Sequence, residues 1–339
     1  MKVGVHYTKG GFTERWVDYC INNQLEYVFV DCYETNIINV IKQQNITHLM
    51  WHLNHESHKD IEYGLMIMNA IDLLGVKTFP NYQSRWHFDN KVVQKYLLES
   101  ISAPITKSYV FYNKQKALGF LEKADFPIVS KLKRGAGSSN VKLIHNYHEG
   151  EKYVNKLFGE GVFATSKAFE NLNQKIRVAK KIKNPLELSK KFFRYIKKNK
   201  QERQSSALEK GYVYFQDFLN NNDYDTRIIV VGDKAFGIRR FNRKGDFRAS
   251  GSGILDYSVG NIDVNFVKIA FEVSRKLNTD CLGFDFVYNE GQPNIIEVCF
   301  GFSVDAYNDC EGYWDENLNF IKGKFNPQYF MIEDFVKNE

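Results

Sequence analysis

The sequence predicts an α/β chain of two or three packed units that opens on a parallel sheet and closes on a β-hairpin. Three observations carry this. The first 85 residues alternate short apolar runs with helical stretches. The runs CLGFDFVY and IIEVCF flank the turn-forming NEGQPN. At 339 residues the chain also exceeds one small module, since single domains usually run about 100–200 residues.

Composition supports ordered cores: 43% of residues are apolar, 25% charged and 15% aromatic. MKVGVHYTKGG is too short and too polar for a signal-peptide core, and no apolar run approaches 18 residues. The five cysteines, Cys20, Cys32, Cys281, Cys299 and Cys310, are widely spaced and form no CxxC pair, which fits a reducing cytoplasm. The net charge of +6 is concentrated. Lys167–Arg203 holds thirteen Lys/Arg against three Asp/Glu, a local +10, and leaves the rest at 6 − 10 = −4.

In order, VGVHY, EYVFVD and HLMWHL read as strands separated by helices near Glu14–Asn22, Ile37–Gln44 and Ile61–Leu74, a βαβ pattern. Ligands gather at the carboxyl ends of such strands, which places Tyr7–Gly11, Asp31 and His52–His58 near a substrate. No GxGxxG occurs here, against a dinucleotide site. Asp89–Ser102 reads as a helix capped by Asp89, with Val93, Tyr96 and Leu97 on one face. Strand YVFY, helix Lys114–Lys123, strand PIVSKLKR, loop GAGSSN and strand VKLI follow. The basic segment contains Pro185 and is mostly helix-forming, with Leu188, Phe192, Phe193 and Ile196 on one face. Strands resume at VYFQDFL, RIIVVG and AFGIRRF, and helix Val264–Leu277 precedes the hairpin.

A hairpin register symmetric about Gly291 sets Asp285 opposite Glu297 (291 − 6 and 291 + 6). Facing carboxylates repel unless a divalent cation sits between them, and hard oxygen donors suit Mg²⁺. The plain alternative is a slipped register with both carboxylates in solvent. In PIVSKLKRGAGSSNV, Lys131 precedes a small-residue loop, Gly135 to Asn140. Its backbone N–H groups and the Ser138 and Ser139 hydroxyls can approach phosphate oxygens. Without GK[ST] and a following helix it is not a Walker A loop. Lys91 and the hinge Gln216–Asp217–Phe218–Leu219 complete what a nucleotide clamp needs: cations for phosphates, and a backbone edge and apolar walls for adenine.

In their order, SKLKRGAGSSNV, YFQDFL, DTRIIVVGDKAF, RRFNRKGDFRASGSG and GFDFVYNEGQPNIIEV resemble the ATP-grasp superfamily. The similarity is greatest to its branch of glutamate-adding ligases acting on a ribosomal protein and to ATP-grasp proteins encoded with surface-polysaccharide genes. It covers roughly Asp89 to Val298 and is interrupted by the basic segment. The resemblance implies an ATP-grasp fold with an N-terminal Rossmann-like pre-ATP-grasp domain, ATP being pinched between two sheets. The implied divisions are 1–88 on the substrate side, 89–217 with a basic insertion at about 165–208, and 218–339 with the metal hairpin. It also implies ATP and Mg²⁺ as cofactors. Lys91, Lys131, Gly135, Gly137, Ser138, Ser139, Gln216, Asp217, Phe218, Leu219 and Asp225 are the expected nucleotide residues, with Asp285 and Glu297 on the metal. The family usually has Asn two residues after its metal Glu, where this chain has Cys299, a poor Mg²⁺ ligand. Cys299 as a nucleophile is the lesser reading, because the sequence shows no base for it.

Arg227, Arg239, Arg240, Arg243 and Arg248 gather near the hairpin in the predicted sheet. Guanidinium forks neutralise a transferring phosphoryl group and hold carboxylates bidentately. Arg240 and Arg248, with Arg227, are therefore expected to steady an acyl phosphate, and the loop holding Ser250, Gly251, Ser252 and Gly253 to bind substrate. Exposed strand positions are the plain alternative for about half of these arginines. His52, His55 and His58 read as substrate contacts before a metal site. Lys167–Arg203 reads as a solvated helical insertion or as a dock for an anionic membrane surface or polymer, ahead of nucleic acid. The tail CEGYWDENLNF carries no derivable chemistry.

The resulting expectation is an ADP-forming carboxylate–amine ligase joining a small-molecule or saccharide carboxylate to an amine in surface-polysaccharide assembly. Its expected location is the cytoplasm or the inner membrane face. An ATP-grasp kinase and a non-catalytic ATP-binding regulator are the alternatives.

Overall fold

The computed structural model describes residues 1–55, 57–135, 140–164, 208–243, 247–248 and 252–337. They form two compact units, one of residues 1–88, 96–105 and 221–339, the other of 89–95 and 106–220.

The first unit begins with β1 (Val3–His6), α1 (Thr13–Asn22), β2 (Tyr27–Val30), α2 (Ile37–Gln43), β3 (His48–Trp51), α3 (Leu65–Asp72), β4 (Lys77–Phe79) and α4 (Tyr82–Arg85). The strands form an all-parallel sheet in the order β2-β1-β3-β4, as the βαβ pattern predicts. The helix expected over Ile61–Leu74 is divided: Asp60–Gly64 winds as one π-helical turn before α3. The buried Asp60 carboxylate accepts from the Tyr33 hydroxyl (2.7 Å), the Ser57 hydroxyl (2.5 Å) and the Asn54 N–H (2.8 Å), which ties this turn to the strand ends. Gly64 lies against Leu53, which an added Cβ would meet at 2.8 Å.

The second unit holds the start of α5 (Lys91–Ser100), then β5 (Ser108–Phe111), α6 (Lys114–Leu121), β6 (Ile128–Lys131), β7 (Val141–Ile144), α7 (Tyr147–Phe158), β8 (Val162–Phe163), β9 (Leu208–Glu209) and β10 (Val213–Asp217). Its main sheet is antiparallel, β5-β10-β6-β7, with Leu121, Ile128, Val154, Leu157 and Phe215 in the core. Sequence reading places the α5 cap one residue early. Asn90, not Asp89, accepts the Val93 N–H (3.2 Å). Lys91, Val92, Gln94 and Leu98 are buried, whereas Tyr96 is exposed. Helix α7 was not expected, although its start is marked: the Asn146 side chain accepts the Glu149 N–H, and Glu149 accepts the His145 N–H, each at 3.0 Å.

The chain returns to the first unit with β11 (Tyr224–Val231), β12 (Lys234–Phe241), β13 (Leu255–Asp256), α8 (Val264–Leu277), β14 (Cys281–Asn289), β15 (Gln292–Cys299), β16 (Gly312–Asp315), β17 (Phe320–Lys322) and α9 (Pro327–Lys337). The sheet order is β15-β14-β11-β12-β16-β17, with β13 also on β12. One face, bearing Ile228, Val230, Leu282, Phe284, Phe286 and Val298, is covered by Phe266, Val267, Ala270 and Phe271 of α8. At one end of the other face, Ile229, Val231, Phe236, Ile238 and Cys281 share a core with the N-terminal sheet.

The hairpin does set Asp285 opposite Glu297, though by a different route from simple symmetry. Glu290 and Gly291 form a two-residue turn with φ of +51° and +77°, giving the pairs Asn289–Gln292 through Phe286–Ile295. A bulge then admits Ile296 as an extra residue on β15, and pairing resumes one residue later at Asp285–Glu297.

Candidate active site

In the second unit, the expected phosphate loop hangs from the β6–β7 hairpin. Lys131 ends β6 and is buried, and the Leu132 N–H donates to the Asn140 carbonyl (3.1 Å), closing the loop's base. Gly135 adopts φ +126°, a conformation that favours glycine. Its N–H donates to Asp89 (2.9 Å), while its carbonyl accepts from the buried Lys91 ammonium (2.6 Å). Gly137, Ser138 and Ser139 lie outside the described residues. Behind the loop, the Lys133 N–H donates to the Tyr212 hydroxyl (2.6 Å), which donates to the buried Glu209 (2.9 Å). Burial and Glu209 push the Tyr212 hydroxyl well above the ordinary tyrosine range, so it remains a donor.

At the expected hinge, the Gln216 amide is turned into the sheet, donating to Ser108 (3.0 Å) and Tyr214 (3.3 Å). The Asp217 N–H donates to the Lys107 carbonyl (3.0 Å). Burial raises the Asp217 carboxyl, and Lys107 counters part of that rise. Phe218 and Leu219 continue from the end of β10.

In the first unit, strand alternation brings Asp225 and Arg227 of β11, Arg240 of β12, Asp285 of β14 and Glu297 of β15 to one sheet face. Arg227 grips Asp285 with Nε (2.5 Å) and Nη2 (2.7 Å). Arg240 grips Asp225 similarly, at 2.6 and 2.7 Å, and reaches Asp285 Oδ2 with Nη2 (2.8 Å). Burial alone would raise Asp285, but the two guanidiniums outweigh it and hold that carboxyl well below the usual range. Burial raises Asp225, because Arg240 is offset by repulsion from Asp285. Asp225 thus serves to orient Arg240. Arg239 points to the other face, pairs with Asp256 and lies over the rings of Tyr224 (4.7 Å) and Phe241 (5.5 Å). It does not join the cluster expected from sequence.

The donor set fits a divalent cation. Asp285 accepts two N–H bonds from Arg227 and is ion-paired with Arg240, which leaves lone-pair sites for a cation, and Glu297 stands opposite. Three carboxylates, Asp225, Asp285 and Glu297, against Arg227 and Arg240 give a formal charge of −1. No set of three or more His, Cys, Asp or Glu with metal-centre geometry occurs among the described residues, so remaining ligands would come from phosphate and water.

Two residues beyond Glu297, Cys299 stands opposite Gly283 and its Sγ accepts the Gly301 N–H (3.2 Å). His55 Nε2 lies 3.2 Å from that sulfur, so the expectation that Cys299 has no neighbouring base is wrong. No local spacing could reveal a pair 244 residues apart. His52 is drawn into packing: Nδ1 accepts the Phe12 N–H (3.1 Å), and its ring stacks on Phe12 at 3.7 Å. Burial lowers its pKa to about 3, so it is neutral. Arg248 is half-buried. Ser250 and Gly251 are outside the described residues, Ser252 accepts the Ile254 N–H (3.2 Å), and Gly253 has φ +78°.

Residues 187–308 match the model of the RimK-like ATP-grasp domain. The α-aminoadipate–LysW ligase LysX of Saccharolobus solfataricus is 20% identical over 271 residues, covering 78% of this chain and 75% of that protein. D-alanine–D-alanine ligase of Bacillus anthracis, solved with ATP, superposes with a TM-score of 0.57 at 13% identity, over 99% of this chain and 95% of that one. A RimK-domain ATP-grasp protein of Sphaerobacter thermophilus gives 0.55 at 10% identity, over the full length of both. The chain has the ATP-grasp fold, and its residues 187–308 match the ATP-grasp domain model. The N-terminal parallel sheet stands where that fold has its pre-ATP-grasp sheet. The ATP-grasp match takes in β11, β12, β14 and β15, the strands that carry the ionic cluster. Sequence reading missed Asp89 as the residue holding Gly135, because an aspartate before a helix reads first as its cap.

Proposed function

We propose that the protein is an ADP-forming carboxylate–amine ligase working through an acyl phosphate. The observation that carries this is the sheet face on which Asp285 meets Glu297 while Arg227 and Arg240 stand oriented beside them. Lys91, Lys131 and the Gly135–Asn140 loop bind the nucleotide phosphates, and Gln216–Leu219 binds adenine and ribose. Asp285 and Glu297 hold Mg²⁺, which supplies charge neutralisation on the phosphates. Arg227, Arg240 and Arg248 orient the substrate carboxylate and neutralise the phosphoryl group as a carboxylate oxygen displaces ADP. The amine then attacks the acyl carbon and inorganic phosphate leaves.

A sugar acid or amino acid of surface-polysaccharide assembly is the acceptor class we favour, on sequence resemblance. The relative named for joining α-aminoadipate to LysW adds an amino dicarboxylate to the candidates. The test is ADP release over a matrix of sugar acids, amino dicarboxylates and amines, with product masses. Release dependent on both components and a product with an amide support the reading. A stable phosphoester product, or ADP release indifferent to every carboxylate, sinks it.

A further inference from the structure

Tyr307 lies in the segment between β15 and β16 and is 2% exposed. Its ring meets Phe236 and Phe302 edge-on, each at 5.2 Å. Phe236, Ile238 and Arg240 alternate along β12 on one face, so a ring seated on Phe236 lies where the shared apolar core gives way to the ionic cluster. The electrostatics agree: burial raises the Tyr307 hydroxyl, and among the charges Arg227, Arg240 and Asp285 act on it most. The ring is buried and tyrosine hydroxyls in such surroundings usually find a partner, yet no hydrogen bond to this one occurs among the described residues. Nor does Nη1 of Arg227 or Arg240 bond to anything among them, since both forks engage through Nε and Nη2. Strand alternation sets Arg227 and Arg240 on the same face as Phe236, the ring that Tyr307 meets, and three donors of this kind, two of them cationic, suit a phosphoryl oxyanion.

We propose that the Tyr307 hydroxyl binds the transferring phosphoryl group, donating to an oxygen that Nη1 of Arg227 and Arg240 neutralise. This rests on the ligase reading and adds a residue to it. The test is calorimetric titration of inorganic phosphate into protein saturated with Mg²⁺-ADP. Tyr307→Phe keeps the ring and removes the donor. It is expected to bind phosphate about tenfold more weakly, the usual scale for a hydrogen bond to a charged group, with ADP affinity and melting temperature unchanged. A cycle with Arg227→Lys should show non-additive losses. Equal phosphate affinity in wild type and Tyr307→Phe, or additive losses in the cycle, overturns the inference. Equal loss of ADP and phosphate binding overturns it too, as the mark of a structural role. Wild-type protein that binds Mg²⁺-ADP but no phosphate removes the phosphoryl role of the arginine cluster itself.

Discussion

On the proposed reading Asp285 has two duties that substitution can separate from those of Glu297. It is the counter-charge of the buried Arg240 and the half-buried Arg227, so Asp285→Asn should lose about 3 kcal/mol of stability in denaturant melts as well as Mg²⁺ binding. Glu297→Gln should weaken Mg²⁺ binding to the ADP complex, read by calorimetry, with a far smaller change in stability. The folded pKa of Asp285 is depressed, so its contribution is present above the ordinary carboxylate range, near pH 4, and is lost as pH falls through the depressed value. The cysteines separate in the same way. Burial pushes Cys20 up to about 11, Cys310 up to about 12, and Cys32 and Cys281 higher still, whereas Cys299 is half-buried. Ellman's reagent should therefore modify one thiol quickly, and Cys299→Ser should remove that phase. The facing of Asp285 and Glu297 was legible in the sequence because a hairpin is local. The approach of His55 to Cys299 was not, because it depends on how the first sheet packs on the last.

Among the elements, the hairpin turn holds Glu290 at φ +51°, where Asn is better tolerated and Asn-Gly is the favoured pair. Glu290→Asn should raise stability by about 0.5–1 kcal/mol in thermal melts without altering activity. The start of β14 carries a second element-scale constraint. Half-buried Asp280 accepts from the Asn81 N–H (2.8 Å) and the Ser84 hydroxyl (2.6 Å), fastening α4 to the C-terminal sheet. Burial raises its pKa to about 6, above its unfolded value. The stability it contributes is thus full near pH 4 and declines as pH rises to about 6, at about 1.4 kcal/mol per pH unit between the unfolded and folded values. Urea melts at pH 4 and 6.5 should show wild type losing stability relative to Asp280→Asn; a constant difference would contradict the assignment. Most elements were legible because their periodicity is local, from β1 to α8. The π-helical turn at Asp60–Gly64 was not, since its cause is a buried carboxylate bonded to Tyr33.

For the molecule as a whole, charge and core are distributed differently. The +10 of Lys167–Arg203 lies outside the described residues, and its removal leaves 6 − 10 = −4. If that segment docks the protein on anionic polymers or lipids, deleting it should abolish salt-sensitive binding to vesicles containing phosphatidylserine and spare turnover of a soluble acceptor. Unchanged vesicle binding would refute docking. The apolar core common to the first and last sheets joins residues more than 200 apart, beyond the reach of any windowed pattern. Chain length is similarly uneven in its consequences. Surface connections usually absorb added or lost residues, whereas the β14–β15 hairpin behaves like a reading frame. Continued without the bulge, its turn would set Glu297 against Phe284 and aim the carboxylate into the apolar layer under α8; the supernumerary Ile296 restores the phase. A one-residue change in this connection is therefore a change of chemistry, moving a charge from one side of the sheet to the other.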